Sequence, residues 1–235
     1  MKKIISLPLL LLALVSCETA KPASHSNNGD LAAEVAEMKT VLNYVLERAM
    51  NSSFEQVKQE IEKANKIWDM QIESSPSIGS PKAKIVVVMF SEFQCPYCAR
   101  ITPYLDSLTR TYPDKIRLVY KHFPLSFHTA APAAAAASIA AHKQGKFWEY
   151  NWKLAPNFGS LNDSTFVAVA TEVGLNIEQF KKEMVLDADK QAIIDRDMNL
   201  GMEVGVQGTP NFYINGKRQD RFNPALIDQM IKDLY

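Results

Sequence analysis

The chain contains the stretch Ile85-Val86-Val87-Val88-Met89-Phe90-Ser91-Glu92-Phe93-Gln94-Cys95-Pro96-Tyr97-Cys98, in which a continuous apolar run leads to two closely spaced cysteines. The apolar run, Ile85 to Phe90, is β-branched at its centre and has no polar interruption. Runs of this kind are typical of a strand that is covered on both faces. We therefore predict a central strand and a short loop from Ser91 to Gln94 that delivers Cys95.

The two cysteines stand at the predicted start of a helix. Pro96 suits the first helical position, and the helix should continue toward Tyr112 with a kink at Pro103. A thiol at this position faces unpaired backbone N–H groups and the positive end of the helix dipole, which lower its pKa below the ordinary value of about 8.5. Cys98 lies one turn further in and is expected to be more protected. We predict that Cys95 is the nucleophile and Cys98 the resolving thiol of a thiol–disulfide exchange.

Zinc sites use the same Cys-x-x-Cys spacing, so the motif alone does not decide its chemistry. Structural zinc needs four ligands. The sequence has no second Cys-x-x-Cys and no paired histidines. We therefore expect neither a metal nor a cofactor, and a metal carrier is the weakest of the functional alternatives. The histidines are scattered at His25, His122, His128 and His142.

The composition is that of an ordinary globular protein. Apolar residues make up 47% of the 235 residues, which is enough for a full hydrophobic core. The 26 basic residues balance the 26 acidic ones, so there is no general attraction to nucleic acid or to anionic lipid. We expect no nucleic-acid partner.

The N-terminus has the pattern of an export signal. Lys2 and Lys3 precede an apolar run from Ile4 to Val15 that is too short for a membrane-spanning helix. The run ends in Leu14-Val15-Ser16-Cys17, which resembles the lipobox of bacterial lipoproteins. That resemblance implies cleavage before Cys17 and lipidation of its thiol, and several acyl chains are sufficient for stable anchoring. A plain secretory signal is the alternative.

Lipidation changes the meaning of the cysteine count. The chain has three cysteines, and modification of Cys17 leaves only Cys95 and Cys98 as free thiols. An exported protein meets an oxidising compartment, where stray thiols are a liability. A bridge that closes so short a loop restrains the unfolded chain very little. The retained pair therefore indicates redox chemistry rather than stabilisation.

A helical pattern precedes the cysteine motif. Apolar residues from Leu31 to Ala49 alternate at spacings of four and three, which is an a/d seam. Asn51-Ser52-Ser53 should interrupt the seam, and a second helix should run from Phe54 to Trp68 with Ser53 as its N-cap. Two interpretations stay open: the helices pack on or space their own domain, or residues 31–72 form an oligomerisation stalk.

Further strand and helix signals surround the motif, and breakers between Ser75 and Pro81 indicate a linker before it. The elements predicted after the motif are a strand at Ile116–Tyr120, a helical block at about 126–205, a hairpin from Asn211 to Arg218 around Asn215-Gly216, and a last helix from Pro224 to Leu234. The predicted regions are a signal peptide (1–16), a flexible tether (17–30), the helical segment (31–75) and a catalytic domain (76–235).

Four motifs occur in order along the catalytic domain. They are Phe93-Gln94-Cys95-Pro96-Tyr97-Cys98, Lys121-His122-Phe123-Pro124-Leu125, Gly145-Lys146-Phe147-Trp148-Glu149-Tyr150 and Gly205-Val206-Gln207-Gly208-Thr209-Pro210. Together they resemble the DsbA-like branch of the thioredoxin superfamily, over about residues 82–235. The resemblance implies an α/β thioredoxin fold with a helical domain inserted between the second and third core strands.

The resemblance also assigns further residues to the site. Thr209-Pro210 is implied to be a cis-proline loop opposite the disulfide, with a free backbone edge that pairs with an extended substrate peptide. Pro96 and Tyr97 are implied to be neighbours of the reacting thiols. His128 is expected to cap a helix or to pack rather than to react.

Two positions depart from the family pattern. Many thioredoxin-like proteins have a buried carboxylate six residues before the nucleophile, where this chain has Met89. Deprotonation of the resolving thiol is then left to water, Glu92 or Lys121. Strongly oxidising relatives carry histidine inside the motif, where this chain has Tyr97, so the thiol of Cys95 should be less acidic and the disulfide less oxidising. The Pro-Tyr dipeptide and the threonine before the cis-proline are similar to isomerase and reductase relatives.

These residues predict a thiol–disulfide oxidoreductase that acts on exported proteins as an oxidase or an isomerase. The alternatives are a reductase for extracytoplasmic thiols and a non-catalytic lipoprotein that holds peptides near Pro210. The expected partners are exported proteins with cysteines, a membrane redox protein that recharges the pair, and a second copy of the chain bound through residues 31–72. We expect a location in the cell envelope, lipid-anchored on the periplasmic or extracytoplasmic face, and Glu18 favours the outer membrane in a two-membrane bacterium.

Overall fold

The computed structural model describes residues 28–219 and 222–235. The chain divides into two compact units, Met1–Glu60 and Ile61–Tyr235. The predicted signal peptide, the lipidation site Cys17 and most of the predicted tether lie outside the described residues. None of the helices in the described ranges has the length and apolar content of a membrane span.

A single helix, α1, runs from Asn28 to Asn65. The predicted interruption at Asn51-Ser52-Ser53 is therefore wrong, and so is the predicted N-cap at Ser53. The Ser53 hydroxyl instead donates to the carbonyl of Ala49, 2.9 Å away, within the helix. Asparagine and serine each cost only about 0.5 kcal/mol relative to alanine in a helix, and no proline or glycine occurs in residues 31–75. A helix already propagating on both sides absorbs that cost.

The second unit is built on a mixed sheet of five strands. In chain order the strands are β1 (Ser77–Gly79), β2 (Ile85–Ser91), β3 (Ile116–His122), β4 (Asn211–Ile214) and β5 (Lys217–Gln219). Their order across the sheet is β1-β3-β2-β4-β5. Strands β2 and β3 are parallel, and the other neighbours are antiparallel. The predicted central strand, second strand and hairpin are confirmed.

The edge strand β1 was not predicted, because the sequence from Ser75 to Pro81 looks like a linker. This strand pairs antiparallel with β3, with Ser77 opposite Val119. An edge strand tolerates flanking prolines since one side of its backbone needs no partner. Gly79 ends the strand at a φ of +96°, where a Cβ would lie 1.9 Å from the carbonyl oxygen of Ile116. The glycine that looked like a breaker therefore permits close approach to β3.

The helices are α2 (Pro96–Thr111), α3 (Ala131–Lys143), α4 (Phe147–Leu154), α5 (Asp163–Glu172), α6 (Ile177–Glu183), α7 (Ala188–Val204) and α8 (Pro224–Leu234), with a short 3-10 turn at Ala155–Asn157. The block α3–α7 lies between β3 and β4, which confirms the predicted helical insertion. The β4–β5 turn has positive φ at Asn215 (49°) and Gly216 (77°), as a type I′ hairpin turn requires.

Residues 66–76, which precede β1, belong to the second unit as well. The backbone of Trp68 donates to the carbonyl of Gly216 at 2.9 Å, and Met70 is buried. The second unit therefore begins before residue 76, the predicted start of the catalytic domain.

The core lies on both faces of the sheet. Along β2, Ile85, Val87 and Met89 face one apolar cluster, and Val88 and Phe90 face the other. All five side chains are buried. The continuous apolar run therefore reflects a strand that is covered on both sides, as predicted.

Replacement of Gly79 by alanine should destabilise the second unit by about 2 kcal/mol or more, because the added Cβ meets the Ile116 carbonyl and the backbone is left-handed there. Gly159→Ala is the matched control, since a Cβ at Gly159 meets no atom within 4 Å. Urea unfolding of both variants measures the difference. Equal midpoints for the two variants would contradict the close approach of β1 to β3.

Candidate active site

The cysteine motif lies where β2 leads into α2. Cys95 is the N-cap of α2, with extended backbone angles (φ −75°, ψ 118°), and Pro96 follows in the first turn. Cys98 lies one turn into the helix, where its carbonyl accepts a hydrogen bond from the Thr102 hydroxyl at 2.8 Å. Both cysteines are free thiols in this structure. The sequence-based placement of the pair at a helix start is thus observed.

Exposure does not distinguish the two thiols. Only 2% of Cys95 and 4% of Cys98 is exposed, so the expectation that Cys98 is the more protected residue is not met by surface area. The N-cap thiol is covered because the loop that carries Thr209 lies against it: Cys95 Sγ donates to the carbonyl of Thr209 at 3.3 Å.

Electrostatics, in contrast, separates the two thiols. A hydrogen bond from the Cys98 thiol is the largest cause that lowers the pKa of Cys95, to about 5, and the backbone N–H groups of Cys98 and Tyr97 add to it. Burial opposes this shift. Burial is also the largest cause that raises the pKa of Cys98 well above its ordinary value, and the neighbouring Cys95 adds to that rise. At neutral pH one thiol is therefore a thiolate and the other keeps its proton.

Strand register explains how Thr209-Pro210 reaches the cysteines. Phe90 near the end of β2 is paired with Asn211, the first residue of β4. The two residues before Asn211 therefore lie beyond the end of β2, on the side where the cysteine loop begins. The Thr209-Pro210 peptide bond is cis, as the family resemblance implied.

An open groove of about 370 Å³ runs beside this loop. Tyr97 is 62% exposed at its edge, and the Arg100 guanidinium lies 5.1 Å from the centre of the Tyr97 ring. The groove is large enough for a few side chains of an extended peptide. Its lining consists of Tyr97, Arg100, Ile101, Thr209, Pro210, Asn211, Phe212, Gln219 and Phe222.

Two sequence-based candidates for proton transfer lie elsewhere. Met89 occupies the position of the missing carboxylate and is buried in the apolar core. The Lys121 ammonium donates to the carbonyl of Gln71 at 2.7 Å and pairs with Asp197 at 3.3 Å. Lys121 follows Tyr120 on β3, so its side chain points to the opposite face of the sheet. A role for Lys121 beside the thiols is therefore not supported.

The loop after β2 supplies a different set of polar groups. The backbone N–H of Glu92 and the hydroxyl of Ser91 bond the Cys98 sulfur and favour its thiolate. The Glu92 carboxylate itself is buried and is bound by His128, whose Nδ1 lies 2.5 Å from Oε1. Sequence reasoning expected His128 to cap or to pack, and it missed this pair because the two residues are far apart in sequence.

The described part of the chain offers no group of three or more His, Cys, Asp or Glu side chains able to hold a metal ion. The chemistry of the site is therefore argued from its thiols, its backbone donors and its buried carboxylate.

A thioredoxin-type sheet, a helical insertion and a Cys-x-x-Cys at a helix start define the DsbA-like class of thioredoxin-fold proteins. The sequence profile of the family described as Thioredoxin matches residues 71–233. The chain belongs to this family.

Solved structures of similar fold agree with the assignment. A thioredoxin-like oxidoreductase from Silicibacter pomeroyi DSS-3 has a TM-score of 0.61 at 28% identity, and the match covers 74% of this chain and 96% of that one. The thiol-disulfide exchange protein alpha-DsbA2 from Wolbachia pipientis has a TM-score of 0.60 at 17% identity, covering 79% of this chain and 97% of that one. At that identity the second likeness concerns the fold alone. The DsbA-like fold predicted from the four motifs is confirmed.

A longer protein contains a related region. The Na(+)/H(+) antiporter NhaA 1 of Mycobacterium sp. (strain KMS) is 36% identical over 142 residues, which are 60% of this chain but 23% of the antiporter. The chain therefore spans less than a quarter of the length of that relative, and the similarity concerns one region of it.

The reduced protein should show a thiolate titration with a midpoint near pH 5, seen as absorbance at 240 nm. Because the Cys98 thiol is the largest cause of the low pKa, Cys98→Ala should raise the pKa of Cys95 by about one unit or more. Cys98→Ser keeps a hydroxyl donor and should raise it less. An unchanged midpoint in Cys98→Ala would show that the helix start alone stabilises the thiolate.

Proposed function

We propose that this protein is a thiol–disulfide oxidoreductase of exported proteins that works as an oxidase or an isomerase through Cys95 and Cys98. The observation that carries the proposal is the division of charge between the two thiols, with a pKa of about 5 for Cys95 and a raised pKa for Cys98. A thiolate is the attacking species in disulfide exchange, and a protonated neighbour completes the pair.

In the reductive direction the Cys95 thiolate attacks one sulfur of a substrate disulfide. A Cys95–substrate bond forms, the substrate S–S bond breaks, and the first substrate sulfur leaves as a thiolate. Cys98 then loses its proton and attacks the Cys95 sulfur, which forms the Cys95–Cys98 disulfide and releases the second substrate thiolate. Oxidation of a substrate is the same sequence in reverse, and isomerisation stops at the mixed disulfide, from which another substrate thiol displaces Cys95.

The low pKa of Cys95 supports the oxidase or isomerase direction over reduction. A stabilised thiolate is a good leaving group, and it also stabilises the reduced form of the enzyme relative to its disulfide. The groove beside Thr209-Pro210 supports a protein substrate, because the backbone edge next to the proline is free to pair with an extended peptide. The partner that recharges the pair in this proposal is a membrane redox protein.

Insulin reduction and the refolding of a scrambled disulfide protein test the proposal directly. We expect Cys95→Ser to lose both activities by about 100-fold or more, since the hydroxyl is not ionised at neutral pH. Cys98→Ser should retain measurable isomerisation but should accumulate mixed disulfides. Equal activity of wild type and Cys95→Ser would favour the alternative, a lipoprotein that binds peptides without turnover. Insulin reduction without any repair of scrambled bridges would favour the reductase.

The proposed location is the cell envelope, with Cys17 as the lipid anchor. The lipobox-like sequence before Cys17 supports export and anchoring, and an oxidising compartment suits an oxidase or an isomerase. Glu18 supports the outer membrane in a two-membrane bacterium.

We further propose that helix α1 brings copies of this chain together. Its a/d seam is exposed on the described helix, with Met38 63% and Leu42 57% accessible. Apolar residues at coiled-coil spacing are stabilised when a partner helix covers them. Paired copies place two disulfide sites in one assembly, which suits isomerisation of a large substrate.

Sedimentation of the chain from Glu18 onward tests the pairing. Leu42→Glu together with Met38→Glu should convert an oligomer into a monomer, because two charges then lie on the seam. Thr40→Glu is the matched control, since Thr40 lies on the opposite side of α1 and should leave the oligomer intact. A monomeric wild type would refute the proposed role of α1.

A further inference from the structure

The Glu92 carboxylate is held behind the reacting thiols by two hydrogen bonds. Its Oε2 accepts the backbone N–H of Gln94 at 2.7 Å, and its Oε1 is bound by His128 Nδ1 at 2.5 Å. Only 1% of the Glu92 side chain is exposed. Each oxygen therefore has a protein partner, and the carboxylate keeps one orientation.

The Glu92 carboxylate and the Cys95 thiolate repel each other. Burial is the largest cause that raises the pKa of Glu92, and the negative charge of Cys95 raises it further, while the bonds from Gln94 and His128 oppose the rise. Electrostatic coupling is reciprocal, so an ionised Glu92 also makes the Cys95 thiolate less stable. A bare carboxylate at this place would work against the nucleophile.

His128 is positioned to cancel that charge. Its side chain is 18% exposed, so it exchanges protons with solvent. On its other side it faces the Phe127 ring at 4.6 Å and a groove formed with Pro132 of α3 and Gln191, Ile194 and Met198 of α7, none of which is ionisable. Within the residues that the structure describes, Glu92 is the ion-pair partner of His128.

We propose that Glu92 and His128 hold one proton between them, so that the pair is neutral and the Cys95 thiolate is the net negative charge of the site. The proton lies on Nδ1 with an ionised carboxylate, or on Oε1 with a neutral imidazole, and both arrangements leave the pair without net charge. Both residues are positioning residues, because they act on substrate chemistry through Cys95.

The departures from the family pattern give this pair its importance. Tyr97 brings no positive charge into the motif, and Met89 brings no carboxylate behind Cys98. The ionisable groups that face Glu92 are Cys95, Cys98, Tyr120 and His128. Burial raises the pKa of Tyr120 well above its ordinary value, so Tyr120 stays neutral. Among these groups, only His128 supplies a positive charge.

The test is the midpoint of the Cys95 titration in the reduced protein, measured at 240 nm below pH 8, where Cys98 and the tyrosines keep their protons. His128→Gln keeps a hydrogen-bond donor but no charge, and it should raise the midpoint by about one unit. Glu92→Gln should leave the midpoint at or below that of wild type. The double variant Glu92→Gln/His128→Gln should return to the Glu92→Gln value, because His128 acts through Glu92. The exposed His142 supplies the control: His142→Gln should not move the midpoint.

The equilibrium constant with glutathione at pH 7 is the second readout. In His128→Gln it should shift by up to about tenfold toward the protein disulfide, since a less stable thiolate makes the disulfide less oxidising. A midpoint that is unchanged or lowered in His128→Gln would overturn the proposal. So would a double variant whose midpoint stays as high as that of His128→Gln, because the effect would then not pass through Glu92.

This inference rests on the proposed function, but the two fail separately. Wild type without insulin or refolding activity would defeat the proposed function, while the thiolate midpoints would still report on the Glu92–His128 pair. Normal activity with coincident midpoints would defeat this inference alone.

Discussion

The stabilisation of one buried negative charge, the Cys95 thiolate, underlies the organisation of the site. Burial works against any ion, so the charge needs short-range donors: the Cys98 thiol first, and then the backbone N–H groups at the start of α2. These donors exist only in the folded protein. The stabilisation they give to the reduced form is therefore fully present above the pKa of an unfolded thiol, and it is lost as the pH falls through about 5.

The scaffold is arranged to bring the donors and the substrate edge to the same place. Strand β2 is covered on both faces and ends at Ser91, so the following loop leaves the sheet at a rigid point. The antiparallel pairing of Phe90 with Asn211 carries Thr209-Pro210 to that end of the sheet. The helical insertion between β3 and β4 adds a third component, because the loop before α3 carries His128. Residues from three distant parts of the chain therefore meet around Cys95.

Sequence reasoning succeeded where a local pattern determines the structure. The apolar run of β2, the proline after Cys95 and the Asn215-Gly216 turn each have one dominant physical reading, and the structure has them as predicted. It failed where a long-range partner decides. The three residues of β1 form a strand only because β3 lies beside them, and the helix through Asn51-Ser52-Ser53 continues because weak helix formers are outweighed by their neighbours. The bond between Glu92 and His128 has no local signature, since it depends on the packing of the insertion against the cysteine loop.

The resolving thiol decides how the low pKa of Cys95 is used. When Cys95 is joined to a substrate, its negative charge is gone, and two of the causes that raise the pKa of Cys98 disappear with it. Burial, the largest cause, remains, and Met89 offers no carboxylate to accept the proton. Cys98 therefore loses its proton slowly in the mixed disulfide, and the intermediate lasts longer. A long-lived mixed disulfide gives other substrate thiols time to attack, which is the condition for exchanging bridges rather than reducing them.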